Sequence, residues 1–260
     1  MSGGGIPIGV GGGGLALLLT ILFVVLTGNV PGGGGSGGGP LDAFPTVQAT
    51  GTNPAEDPDA TLADFSDRIF KDVDSTWAQI FQQAGREYHP ARMVLFTRAT
   101  ESACGGASSA VGPHYCPPDQ TVYLDLAFFK ELRDRFGASG DFAHAYVIAH
   151  EVGHHVQNEL GIMNRVENRE DGIRLELQAD CLAGVWGYTA EKRGLLDSGD
   201  TREALDAAAA VGDDRIQQQT QGRVTPENWT HGSSEQRMKW FTRGMNKGDP
   251  AACDTFSGEI

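Results

Sequence analysis

The segment His150-Glu151-Val152-Gly153-His154 places two imidazoles four residues apart, with a carboxylate directly after the first. Positions four apart lie on one face of an α-helix, so a helical segment would aim both rings at a single point. Two such nitrogens can hold one Zn²⁺ at about 2.0–2.1 Å each. Glu151 falls on the flank of that face, badly placed as a ligand and well placed as a base for a water molecule. A longer version of the pattern would carry a glycine and a third histidine after His154. Gln157 and Leu160 stand at those two places instead, so a third ligand must come from elsewhere.

Glu176-Leu177-Gln178-Ala179-Asp180 supplies the candidate. Glu176 and Asp180 again share a helix face. Glu176 can complete a His₂Glu site and leave a fourth position open for water and substrate. Asp180 can accept the spare N–H of a ligating imidazole and fix its tautomer. The apolar flanks Leu175, Leu177, Ala179 and Leu182 argue against a solvated face, and buried carboxylates need a metal or a partner.

These residues require helices that face one another, and the pattern provides them. Residues 143–148 are mostly apolar, which suits a buried helix with its polar residues turned to a cleft. Asp141 can cap that helix, which runs to about Leu160 and is stopped by Gly161. A second helix spans residues 169–193 and closes at Gly194. Further helices are expected over 60–84, 128–136 (ended by Gly137) and 201–219. Ser233 and Gln236 form a capping box ahead of another. Residues 93–97 and 121–126 read as short strands. The fold class is therefore α+β, mostly helical, with a small sheet.

The first 41 residues carry no charged side chain, so the net charge of −14 belongs entirely to the rest of the chain. No Lys/Arg-rich run occurs, and without a basic stripe nucleic acid is not an expected partner. Residues 6–30 are uncharged and about long enough to cross a bilayer core of roughly 30 Å, so residues 1–30 are expected to form a single transmembrane anchor. Residues 31–58, with the run PGGGGSGGGP, read as a flexible linker. The folded domain is then 59–260. Cys104, Cys116, Cys181 and Cys253 form no C-x-x-C pair, and four cysteines allow three pairings. Cys104 and Cys116 bracket a Gly-, Ser- and Pro-rich loop, so local pairing is expected, leaving Cys181 with Cys253. Two disulfides and an anchor suit an extracytoplasmic domain on a single-pass membrane protein.

The segments AHEVGHHVQN, ELQADCLAGVW and HGSSEQR, with CGGASSAVGPHYCPPDQTVYLDL and the final CDTF, resemble the bacterial putative neutral zinc metallopeptidases. The resemblance covers nearly the whole chain from about Asp59. It implies a zincin-like fold with Glu176 as third ligand, and hydrolysis of a polypeptide substrate by zinc-activated water with Glu151 as general base. By likeness to gluzincins, His231 would stabilise the oxyanion, with Tyr146 and Tyr188 as rival donors. It also suggests residues 121–126 as an edge strand along which an extended peptide pairs, with an interior strand as the equal alternative. His155 points away from the ligand face and reads as packing or as support behind a ligand rather than as a ligand, and His89, His114 and His144 as structural. The alternative is a zinc-containing, non-catalytic cell-surface binding module, against which the base Glu151 argues.

Overall fold

The computed structural model describes residues 58–108, 112–138 and 140–260. The expected anchor and the PGGGGSGGGP run lie outside the described residues. Among those described, no helix is long and apolar enough to cross a membrane.

Helix α1 (Pro58–Gln83) opens the domain and buries Phe70, Val73, Trp77 and Phe81, a stripe at steps of three and four. Three strands then form one sheet: β1 (Arg92–Phe96), β4 (His114–Cys116) and β5 (Thr121–Asp125), in the order β1-β5-β4. β1 runs parallel to β5 with Arg92 opposite Thr121, and β4 runs antiparallel with His114 opposite Tyr123. Between β1 and β4 a separate hairpin forms from β2 (Ala99–Ser102) and β3 (Gly105–Ser108). The Cys104–Cys116 disulfide ties its turn to β4.

Helices α2 (Leu126–Phe136), α3 (Asp141–Glu159), α4 (Arg169–Lys192), α5 (Asp200–Ala210), α6 (Asp213–Gln221) and α7 (Ser234–Lys247) complete the domain. α3 lies at its centre, packed by α1, α4, α5 and strands β4 and β5, and every residue from Ala145 to Gln157 is buried. A helix covered on all sides can be apolar all round, and each large side chain so buried contributes about 1.5–3 kcal/mol. α4 and α7 cross backbone to backbone. A Cβ on Gly184 would stand 2.2 Å from the Phe241 carbonyl oxygen, and one on Gly244 would stand 2.0 Å from that of Cys181. The second disulfide, Cys181–Cys253, fastens a C-terminal turn to α4, so both expected pairings form.

The structure corrects three expectations. The strand at 121–125 is the middle of its sheet, paired with β1 on one side and β4 on the other, so no peptide can pair along it. Asp141 does not cap α3: the cap is Gly140, and the backbone N–H of Phe142 donates to Glu203, whose carboxylate occupies the space a Cβ at 140 would need. The helix expected over 201–219 breaks into α5 and α6 at Gly212, where a Cβ would lie 2.4 Å from the Ser234 backbone nitrogen. The capping box at Ser233 and Gln236 forms as expected, and Gly137 ends α2 in the left-handed conformation.

Candidate metal centre

α3 and α4 approach closely at Gly153, where a Cβ would lie 3.1 Å from the Ala179 carbonyl oxygen. That approach brings Glu176 to both histidines. His150 Nε2 lies 3.2 Å from Glu176 Oε2, and His154 Nε2 lies 3.5 Å from Glu176 Oε1. Donors of the three residues lie within 4.8 Å of one another, and all three residues are buried. A tetrahedral ion with arms of about 2.0–2.1 Å has ligand–ligand edges of about 3.3–3.4 Å. Each histidine lies near that distance from one or other Glu176 oxygen, and a nitrogen–nitrogen–carboxylate set is a zinc donor set.

Behind His150 stands a buried network. His150 Nδ1 donates to Asp180 Oδ1 at 2.9 Å, which leaves Nε2 for the metal position. Asp180 also accepts from the Tyr146 hydroxyl at 2.5 Å and from Arg237 Nε and Nη2 at 2.8 Å each. Burial alone would raise the Asp180 pKa, but Arg237 and His150 bring it down to about 2. Burial would lower that of His150, but Asp180 and Glu176 hold it at about 9. Glu176, also opposed by burial, lies well below the carboxylate range because His154 and His150 face it.

Glu151 lines the same cleft beside the ligands, 7% exposed. His231 reaches it from the loop before α7. Its Nδ1 lies 2.8 Å from Thr230 Oγ1 and 3.3 Å from Asp213 Oδ1. Asp213 Oδ2 in turn accepts the backbone N–H groups of Thr230, His231 and Gly232. Burial would lower the His231 pKa, yet Asp213 and Glu176 raise it, favouring a protonated donor. The break at Gly212 is what aims Asp213 at that loop. Of the two tyrosine rivals, Tyr146 lines the cleft with its hydroxyl bonded to Asp180, and the Tyr188 ring packs beside Gly248, outside the cleft lining.

The cleft encloses about 60 Å³, with Pro113, Phe128, Val147, Met163 and Val211 as its apolar wall. His114 lines it too, with its ring stacked on Tyr123 and Nδ1 on the Gly112 carbonyl. His155 is packing as expected, held between the Tyr115 hydroxyl and the His89 carbonyl. His144 lies against Phe65 and Phe129, and His89 pairs with Glu159 at the surface. Arg237 and Asp213 carry no signal in the sequence. Arg237 sits within HGSSEQR, a run whose spacing assigns it no role, and Asp213 is one of two aspartates at a helix start.

A family model described as putative neutral zinc metallopeptidase matches residues 1–256. YpfJ of Escherichia coli K12 is 44% identical across all of this chain and 92% of its own length. Mb2605 of Mycobacterium bovis is 51% identical over 71% of this chain and 67% of its own. No solved structure matches.

Proposed function

From the premise that the chain belongs to the putative neutral zinc metallopeptidase family, we propose that it is a zinc-dependent endopeptidase acting through His150, Glu151, His154, Glu176 and His231. The observation that carries this reading is the convergence of His150, His154 and the Glu176 carboxylate, with ligand atoms within 4.8 Å of one another, in a cleft that also holds Glu151.

Zinc held by those three residues would polarise the scissile carbonyl and acidify a water molecule. Glu151 takes the proton from the attacking water and passes it to the leaving amine nitrogen. His231, with Nδ1 turned to Thr230 and Asp213, offers Nε2 as the donor that steadies the developing oxyanion. Asp180 holds the His150 ring in the tautomer that presents Nε2, and Arg237 keeps Asp180 ionised.

About four water-sized groups fit within the cleft, so a polypeptide lies along its rim rather than inside it. β4 supports that placement: it is an edge of the sheet, and His114 and Tyr115 line the cleft. The catalytic domain works outside the reducing cytosol, tethered through residues 6–30. Two disulfides and the uncharged apolar span support this.

Glu151→Gln tests the reading. Beside wild type on a peptide library, the variant should hold equal zinc and lose about 10²–10⁴-fold in turnover. Chelation should silence wild type, and added zinc should restore it. Full activity in Glu151→Gln refutes the mechanism, and wild type that holds no zinc refutes the metal centre.

A further inference from the structure

The second imidazole has its own support, separate from the Asp180 network. His154 Nδ1 lies 2.8 Å from Gln157 Oε1. Gln157 Nε2 donates to the Leu175 carbonyl at 2.7 Å and to Gln178 Oε1 at 3.0 Å. Gln178 Nε2 donates onward to the carbonyl of Cys253 at 2.9 Å. Cys253 is disulfide-bonded to Cys181, the residue after Asp180. Gln157 is wholly buried, Gln178 is 6% exposed and Cys253 1%.

The direction of this chain of bonds is set by chemistry. Backbone carbonyls only accept, so the amide nitrogens must face Leu175 and Cys253. The Gln157 oxygen is thereby turned to His154, and His154 Nδ1 must carry the proton. Nε2 is then the ring nitrogen that faces Glu176, at 3.5 Å from Oε1. Two carbonyls, one on α4 and one on the disulfide-bonded C-terminal turn, therefore set the tautomer of the ring.

We propose that Gln157 and Gln178 are positioning residues for the metal ligand His154, and that their anchorage on Cys253 makes the centre's hold on zinc depend on the Cys181–Cys253 disulfide. The proposal rests on the zinc reading above. The Thr255 hydroxyl also holds the C-terminal segment, donating to the Arg174 carbonyl at 2.6 Å, so loss of the disulfide loosens the anchor rather than freeing it.

The test is zinc affinity of the full chain, measured by competition with a chromogenic chelator, with the visible spectrum of the cobalt-loaded protein as second readout. Gln157→Met should weaken zinc by about 10–100-fold and alter the cobalt bands. Gln157→Glu should recover only part of that loss, because one carboxylate oxygen still accepts from His154 while the other cannot donate to Leu175 or Gln178. Gln178→Met and the pair Cys181→Ser/Cys253→Ser should fall between wild type and Gln157→Met. Arg193→Met breaks a distant pair with Asp72 and should leave zinc affinity unchanged, which separates the relay from general loss of stability. If Gln157→Met does not fold, Gln157→Glu and Gln178→Met still decide the matter. Wild type that binds zinc with variants that bind it equally well overturns this inference alone, and an unaltered serine pair overturns its disulfide half. Wild type that binds no zinc overturns the function on which it rests.

Discussion

Replacing Asp180 with asparagine separates two jobs that one carboxylate performs. Asp180 is wholly buried and takes four donors: the Tyr146 hydroxyl, His150 Nδ1, and two nitrogens of Arg237. Asp180→Asn keeps the volume and removes the charge. Arg237, 4% exposed, then lacks its counter-charge, and breaking one partner of a buried pair costs about 3–5 kcal/mol. In a domain of about 200 residues each kcal/mol moves Tm by about 2–4 °C, so the chelated variant should melt roughly 6–20 °C below wild type. The amide also has too few acceptor sites to serve both His150 and Tyr146 as before. Zinc should therefore bind about 10–100-fold more weakly, or about 1.4–2.7 kcal/mol.

The double variant Asp180→Asn/Arg237→Met separates the effects. With neither partner of the Asp180–Arg237 pair left charged, most of the lost Tm should return, while zinc affinity should stay low because His150 remains unsupported. Thermal scans on chelated protein and chelator competition on both variants measure the two quantities. A double variant that melts no higher than the single one refutes the charge argument. Unchanged zinc affinity in Asp180→Asn refutes the orienting role.

His231→Ala should lower kcat by about 10²–10³-fold at unchanged zinc content, with Asp213→Asn smaller in the same direction; loss of zinc in His231→Ala would make it a ligand instead. Gly244→Ala should destabilise by about 1–3 kcal/mol or more, because its methyl meets the Cys181 carbonyl, and an unshifted denaturation midpoint would contradict the backbone contact of α4 and α7. The pH dependence comes from the Asp180 pKa of about 2, below the ordinary carboxylate value of about 3.9. A depressed carboxylate stabilises the fold above its unfolded pKa, so this contribution should be complete above about pH 5 and lost as pH falls towards 2. The Asp180→Asn/Arg237→Met variant should show a flatter acid limb in equilibrium denaturation, and an identical limb would refute the assignment.

What the sequence determined by itself is local. His150, Glu151 and His154 share one helix, whose rise and turn fix their relation before anything packs, and the same holds for Glu176 and Asp180 on the next. The capping box at Ser233 and the stop at Gly137 are bonds within a few residues, so residue type alone revealed them. Tertiary structure decided whatever joins distant segments. β4 has three residues, too few to show a period, so nothing in the chain announced that it would take the sheet edge and leave the strand at Thr121–Asp125 in the middle. Glu203 caps α3 from 61 residues away, a partnership that no local pattern encodes. Asp213 meets His231 only because the chain breaks at Gly212 to pass Ser234, and Arg237 meets Asp180 only because α4 and α7 touch through their glycines. The two histidines were legible because one helix presents them together, and Glu176 because it shares a face with Asp180 on the next. Gln157 sits one turn beyond His154, but its anchors at Leu175 and Cys253, like the Arg237 partner of Asp180, come from other helices and loops that only packing brought there.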